Sequence, residues 1–120
     1  MALRHSVIAV IDDNLVFSAA MEAVLTEHGY QIELYDSADS FLAATPRSEA
    51  FCLIIDIQLG DACGVALARQ LAENGFTSQV IFVTGSDDAE IEKKALDVGC
   101  IAFLRKPFPP SVLMAALSRL

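Results

Sequence analysis

Val7-Ile8-Ala9-Val10-Ile11-Asp12-Asp13 is a run of five apolar residues that breaks off into two adjacent carboxylates. A short, β-branched, continuously apolar run suits a strand covered on both faces, and the abrupt change to charge marks its exit. The same form recurs along the chain. Phe51-Cys52-Leu53-Ile54-Ile55 runs into Asp56, Val80-Ile81-Phe82-Val83 into Thr84, and Ile101-Ala102-Phe103-Leu104 into Arg105-Lys106-Pro107. Ile32-Glu33-Leu34-Tyr35 alternates instead, which predicts a strand nearer a sheet edge.

Between these runs the period changes from two to that of a helix. Phe17, Met21, Val24, Leu25 and His28 form one stripe, followed by Gly29 as a left-handed C-terminal residue. Ser37 to about Ala44 gives a short second helix stopped before Pro46, and Leu67 and Leu71 mark a third that ends at Asn74-Gly75. Ile91, Ala95 and Val98 form a fourth stripe closed by Gly99. Pro109 and Pro110 suit the first turn of a fifth helix, with Leu113, Ala116, Leu117 and Leu120 as its apolar face. Five strands alternating with five helices imply right-handed crossovers, hence an α/β fold with a parallel sheet and helices on both faces.

Composition narrows the function classes. The 120 residues suffice for one core, and at 54% apolar and 20% charged the chain is not a disordered tail. A net charge of −8 opposes binding to phosphate backbones or anionic lipid, so neither nucleic acid nor membrane is an expected partner. The first residues run into an apolar segment too short for a signal-peptide core or a membrane span, so a cytoplasmic location is expected. Cys52, Cys63 and Cys100 lack metal or redox spacing; all three are expected to be reduced thiols, the first and last as core residues and Cys63 in a loop.

Ligands in such sheets bind beyond the carboxyl ends of the strands. Asp12, Asp13, Asp56, Thr84 and Lys106 all stand at those ends. Gathered carboxylates in a partly desolvated site must take up a cation or protons, and Mg²⁺ suits a few carboxylates, a carbonyl and retained waters. A lysine ammonium and a threonine hydroxyl are groups that stabilise charge developing on a phosphoryl oxygen. Asp56 is then the nucleophile of an aspartyl-phosphate chemistry.

Taken in order, Val10-Ile11-Asp12-Asp13-Asn14, Leu53-Ile54-Ile55-Asp56 with Gly64 beyond it, Phe82-Val83-Thr84-Gly85 and Phe103-Leu104-Arg105-Lys106-Pro107-Phe108 resemble the receiver domain of two-component response regulators. The resemblance covers essentially the whole chain. The Thr84-Gly85 pair and the last segment look most like receivers attached to LuxR-type DNA-binding domains.

The resemblance implies one domain over residues 1–120, with a doubly wound, flavodoxin-like sheet of five strands in the order 2-1-3-4-5. It implies that Asp56 accepts a phosphoryl group from a sensor histidine kinase or phosphotransfer protein. Asp13 and Asp56 would ligate Mg²⁺ directly, Asp12 through water, and the main-chain carbonyl of Gln58 would add a ligand. Thr84 and Lys106 would contact the phosphoryl oxygens, and the peptide bond before Pro107 would be cis. Thr84 would move toward the phosphate and Phe103 would turn inward. The surface of the fourth helix, fifth strand and fifth helix would then change, controlling an output domain or partner protein and supporting a homodimer. Gln58 and Ser86 would tune dephosphorylation. Such a chain is a switch with self-directed chemistry and not an enzyme in the ordinary sense.

Three features depart from the usual receiver pattern. Gly60 stands where proline is common, four residues after Asp56, which predicts a more mobile loop. Asp61 adds a carboxylate close to the site, and the switch aromatic, Phe103, lacks a tyrosine's hydroxyl.

Each residue also has a plainer role. Asp12-Asp13 could cap a helix, Thr84 could end a strand, Lys106 could be solvated, and Phe103 could only pack. His28 reads as a half-buried packing residue, His5 as a surface residue, and Asp87, Asp88, Glu90 and Glu92 as the solvated start of a helix. Three other functions compete. A haloacid-dehalogenase-like hydrolase places two acids two apart on its first strand, which this chain does not. A flavin or nucleotide carrier needs a phosphate cradle where this chain has Asp12-Asp13-Asn14. A docking module blind to phosphate has no use for all five polar residues.

Overall fold

β1 (Val7–Ile11) is buried at every position, and period-two alternation divides its side chains between two cores. The computed structural model describes residues 7–46 and 48–120, so the surface reading of His5 lies outside the described residues. After β1 come α1 (Leu15–Glu27), β2 (Gln31–Tyr35), α2 (Ala38–Ala44), β3 (Cys52–Asp56), α3 (Gly64–Glu73), β4 (Gln79–Thr84), α4 (Ala89–Val98), β5 (Ala102–Arg105) and α5 (Pro110–Leu117). The five strands pair in parallel in the order β2-β1-β3-β4-β5. This is the doubly wound sheet expected from the sequence, with the alternating β2 at an edge.

One core joins Val7, Ala9, Ile11, Leu53, Ile55 and Phe82 to side chains of α2, α3 and α4, including Phe41, Leu67 and Ala95. The other joins Ile8, Val10, Ile54, Ile81 and Val83 to Met21 and Leu25 of α1 and Leu113, Ala116 and Leu117 of α5. Both faces of the central strands are covered, which is why they read as unbroken apolar runs.

The helix ends follow local chemistry. Asn14 caps α1 by accepting from the N–H groups of Val16 and Phe17, each at 3.1 Å. Ser37 and Ser40 form a reciprocal capping box on α2. Asp88 caps α4, accepting from Glu90 N–H at 2.9 Å, and Gly99 closes that helix with φ +101°.

Four sequence expectations change. The fifth apolar run is not buried on both faces: β5 is the second edge strand, and Leu104 alone of its residues is buried. Leu120 lies beyond α5 and is 43% exposed, so it leaves that helix's stripe. His28 is the exposed C-cap of α1, its backbone already out of the helix at φ −92°, ψ 9° and its Nδ1 lying 2.9 Å from the Val24 carbonyl oxygen. The segment after Asp56 is a two-rung antiparallel hairpin, Gln58 opposite Cys63 and Leu59 opposite Ala62, where the sequence suggested a mobile loop. Cys52 is buried, Cys100 half-buried and Cys63 exposed, and none is in a disulfide. Among the described residues no helix is long and apolar enough to cross a membrane.

Candidate functional site

The strand order reverses between β1 and β3, so the loops leaving their carboxyl ends diverge and open a crevice there. Asp12 follows β1, Asp56 ends β3, Thr84 ends β4 and Lys106 follows β5. Parallel pairing brings all four exits to one edge. The resulting cleft, of about 490 Å³, is lined by Asp13, Asn14, Asp56, Gln58, Gly60, Gly85 and Lys106.

Lys106 is the cation of the cleft. Its Nζ lies 2.7 Å from Asp12 Oδ2 and 3.4 Å from Asp56 Oδ2. It also sits 4.0 Å from the centroid of the Phe17 ring, which packs edge-on against Phe108. An ammonium over an aromatic face is attracted by the ring's negative quadrupole and loses freedom to swing away. The main chain assists, since Lys106 N–H donates to the Thr84 carbonyl at 2.8 Å. The Lys106–Pro107 peptide bond is cis.

Asp12 is 1% exposed and Asp56 7%. Asp12 Oδ1 accepts from Asn14 N–H at 2.8 Å, and Asp56 Oδ1 accepts from Gln58 N–H at 3.1 Å. Asp13 is exposed, and its Oδ2 accepts from Gly60 N–H at 3.1 Å. One oxygen from each of the three carboxylates lies within 4.8 Å of the others. A single ammonium cannot neutralise three such groups. The Asp56 carboxyl is pushed up to about 6, first by burial and then by the Asp12 charge, against the opposing pull of the Gln58 amide and Lys106.

These donors fit a hard divalent cation. They are all oxygens, they carry excess negative charge, and the exposed Asp13 leaves one side open for water. Asp61 is exposed, follows Gly60 in the hairpin turn, and is not one of the three clustered carboxylates.

The remaining residues singled out in the sequence fall around the cleft. Gln58 is exposed at its lip. Thr84 is 1% exposed, and its Oγ1 accepts from the N–H of the half-buried Ser86 at 3.0 Å. Phe103 does not line the cleft; it is half-buried and packs against the core under α3 and α4. Phe82 pairs with Phe103 and Thr84 with Arg105, so period two puts Thr84, Phe103 and Arg105 on the same sheet face. Arg105 there bridges α4 and the turn before it, with Nη2 2.8 Å from Glu92 Oε1 and Nη1 3.6 Å from Asp87 Oδ1. Of the acidic cluster expected to be solvated, these two are thus paired, in exposed ion pairs worth about 1 kcal/mol or less each.

Sequence reading missed three contributors. Phe17 was legible only as a core position of α1, Gly60 only as an irregular loop residue, and Gly64 only as a motif letter. Gly64 is where α3 presses on β3, its N–H donating to the Ile57 carbonyl at 2.7 Å.

Comparison with known proteins agrees with this geometry. Residues 8–118 match the family described as the response regulator receiver domain. The response regulator protein TodT of Pseudomonas putida is 33% identical over 117 residues, 98% of this chain and 52% of TodT. The transcriptional regulatory protein FixJ of Rhizobium meliloti is 29% identical over 92% of this chain and 54% of FixJ. The chain thus spans about half the length of the curated relatives it matches. A crystal structure of a response regulator protein from Burkholderia pseudomallei, with a phosphorylated aspartic acid and a calcium ion, superposes with a TM-score of 0.85 at 25% identity, covering 93% of this chain and 66% of that one. A parallel sheet in this order, with carboxylates and a lysine at its strand exits and a family match over nearly its whole length, makes the chain a member of the response regulator receiver domain family of two-component phosphorelay signalling.

Proposed function

We propose that residues 1–120 act as one receiver domain that takes a phosphoryl group onto Asp56, with Mg²⁺ bound, from a phosphohistidine on a sensor histidine kinase or phosphotransfer protein. One observation carries this reading: the Asp56 carboxylate, 7% exposed, faces an open cleft in company with two further carboxylates and the Lys106 ammonium at 3.4 Å. The phosphorylated aspartic acid of the Burkholderia relative supports it.

In the transfer, an Asp56 oxygen attacks phosphorus in line, the phosphorus–nitrogen bond of the donor breaks, and its electron pair returns to the imidazole. Bound Mg²⁺, held by Asp13, Asp56 and the Gln58 carbonyl with Asp12 acting through water, would screen the repulsion between carboxylate and phosphoryl oxygens. Lys106 is placed to exchange its hold on a carboxylate for a phosphoryl oxygen. Thr84 is to turn its hydroxyl from Ser86 N–H to the phosphate, and the space it leaves on the shared sheet face is filled by Phe103. The surface of α4, β5 and α5 then changes, and an output domain, partner protein or second copy of the chain reads the change. FixJ is by name a transcriptional regulator, which favours an output domain that acts on transcription. The site of action is the cytoplasm, and the chemistry is limited to the domain's own phosphorylation and autodephosphorylation.

Intact mass after incubation with acetyl phosphate and Mg²⁺ tests the chemistry. The expected gain is one phosphoryl group, about 80 daltons, absent from Asp56→Ala and from a metal-free control. A folded, Mg²⁺-binding protein that gains no mass would overturn the reading. In this reading Gln58 and Ser86 stand beside the attacking water, so Gln58→Ala and Ser86→Ala should change the rate of phosphoryl loss more than the rate of uptake. Equal changes in both rates, followed by the same mass measurement over time, would refute that assignment.

A further inference from the structure

We propose that Gly60 is a positioning residue, its main-chain N–H holding the exposed Asp13 carboxylate in place for the divalent cation. The inference rests on the Mg²⁺ reading above. Asp12 is fixed by Asn14 N–H and Lys106, and Asp56 by Gln58 N–H and Lys106. Asp13 is exposed and has no such burial to fix it; the hydrogen bond found at its carboxylate among the described residues comes from Gly60, 47 positions away, at 3.1 Å. An exposed carboxylate with free side-chain torsions must be ordered when a metal binds, and a donor that orders it beforehand removes that entropic penalty.

The donor exists because of the residue type. Gly60 turns the hairpin at φ +61°. Proline, with its ring fixed near −65° and no N–H, could adopt neither this backbone nor this hydrogen bond. A Cβ at position 60 meets nothing within 4 Å, so other side chains are limited there by backbone angle alone. The departure that suggested a looser loop instead ties the segment after Asp56 to the segment after β1, at the carboxylate most open to water.

Two measurements test this. In the metal-free protein, Asp13→Ala should speed hydrogen exchange of the Gly60 amide by about tenfold or more, read by NMR. Calorimetric Mg²⁺ titration should give wild type and Gly60→Asn affinities within about twofold, because asparagine keeps the N–H and tolerates positive φ. Gly60→Ala should be intermediate and Gly60→Pro about three- to tenfold weaker. If Gly60→Pro fails to fold, the Asn and Ala pair still sets the order. An Asp13→Ala variant that leaves Gly60 exchange unchanged would overturn the hydrogen bond. Mg²⁺ affinity unaffected across the series, or lost equally in Gly60→Asn, would overturn the positioning role. A wild type whose Gly60 amide is protected by Asp13 but which binds no Mg²⁺ would overturn the metal reading and reduce the contact to a loop clamp.

Discussion

Gly64→Ala is expected to destabilise the protein by about 3 kcal/mol or more and to slow phosphoryl uptake with it. Two effects oppose each other. Alanine in a helix is favoured over glycine by about 1 kcal/mol, and Gly64 is the first residue of α3. Against that, an added methyl would overlap the Asp56 carbonyl oxygen and lie 2.8 Å from Ile55 Cγ2 and 2.9 Å from the Asp56 carbonyl carbon. None of these atoms can yield cheaply, because β3 is the central strand and is buried throughout. The clash wins. Relief must come from moving α3 or the end of β3, and the latter displaces Asp56 from Lys106, where errors of about 1 Å can reduce rate by about a hundredfold. Urea unfolding and the mass-based phosphorylation rate read the two effects. A midpoint at or above that of wild type would show that the contact between α3 and β3 relaxes freely, against this expectation.

Asp56→Asn should remove phosphoryl uptake altogether while making the metal-free protein more stable at neutral pH. The carboxyl of Asp56 is raised from its ordinary value of 3.8 to about 6 in the folded protein. The folded state therefore holds this proton more tightly than the unfolded chain. The associated stability is fully present below about pH 4 and is lost as pH rises through about 6. Above that, wild type bears a charge that its site resists, a penalty of about 1–3 kcal/mol once screening by water in the open cleft is allowed for. Asparagine keeps the shape and removes the charge. The variant's advantage should thus be largest near pH 8, shrink toward pH 4, and be offset by Mg²⁺, which stabilises three carboxylates better than two. Unfolding midpoints at several pH values, with and without Mg²⁺, measure this. An advantage independent of pH would place its origin outside the Asp56 charge.

Both variants act at the candidate site, and the residues that gather at its strand exits were mostly legible in the sequence. Asp12, Asp13, Asp56, Thr84 and Lys106 could be found because each ends or follows an apolar run, and parallel strands deliver their exits to one edge. The supporting contacts were not legible. Phe17 under Lys106, Gly60 on Asp13 and Arg105 on Glu92 each join distant segments through side-chain directions that no local pattern encodes. The contact made by Gly60 was not legible because glycine's conformational freedom in the unfolded chain says nothing of what its N–H meets once folded.

The sequence by itself determined the alternation of strands and helices, the burial of the central strands and the charged exits, because residue periodicity and abrupt changes of polarity are properties of neighbours along the chain. The tertiary structure alone decided which strand lies half-exposed at the second edge, which hairpin follows Asp56, how Lys106 is held between two acids and a ring, and which amide steadies Asp13. These depend on the order in which strands pair and on close approach between residues far apart in sequence, and hydrogen bonds and steric contacts of that kind form only when the sheet has assembled.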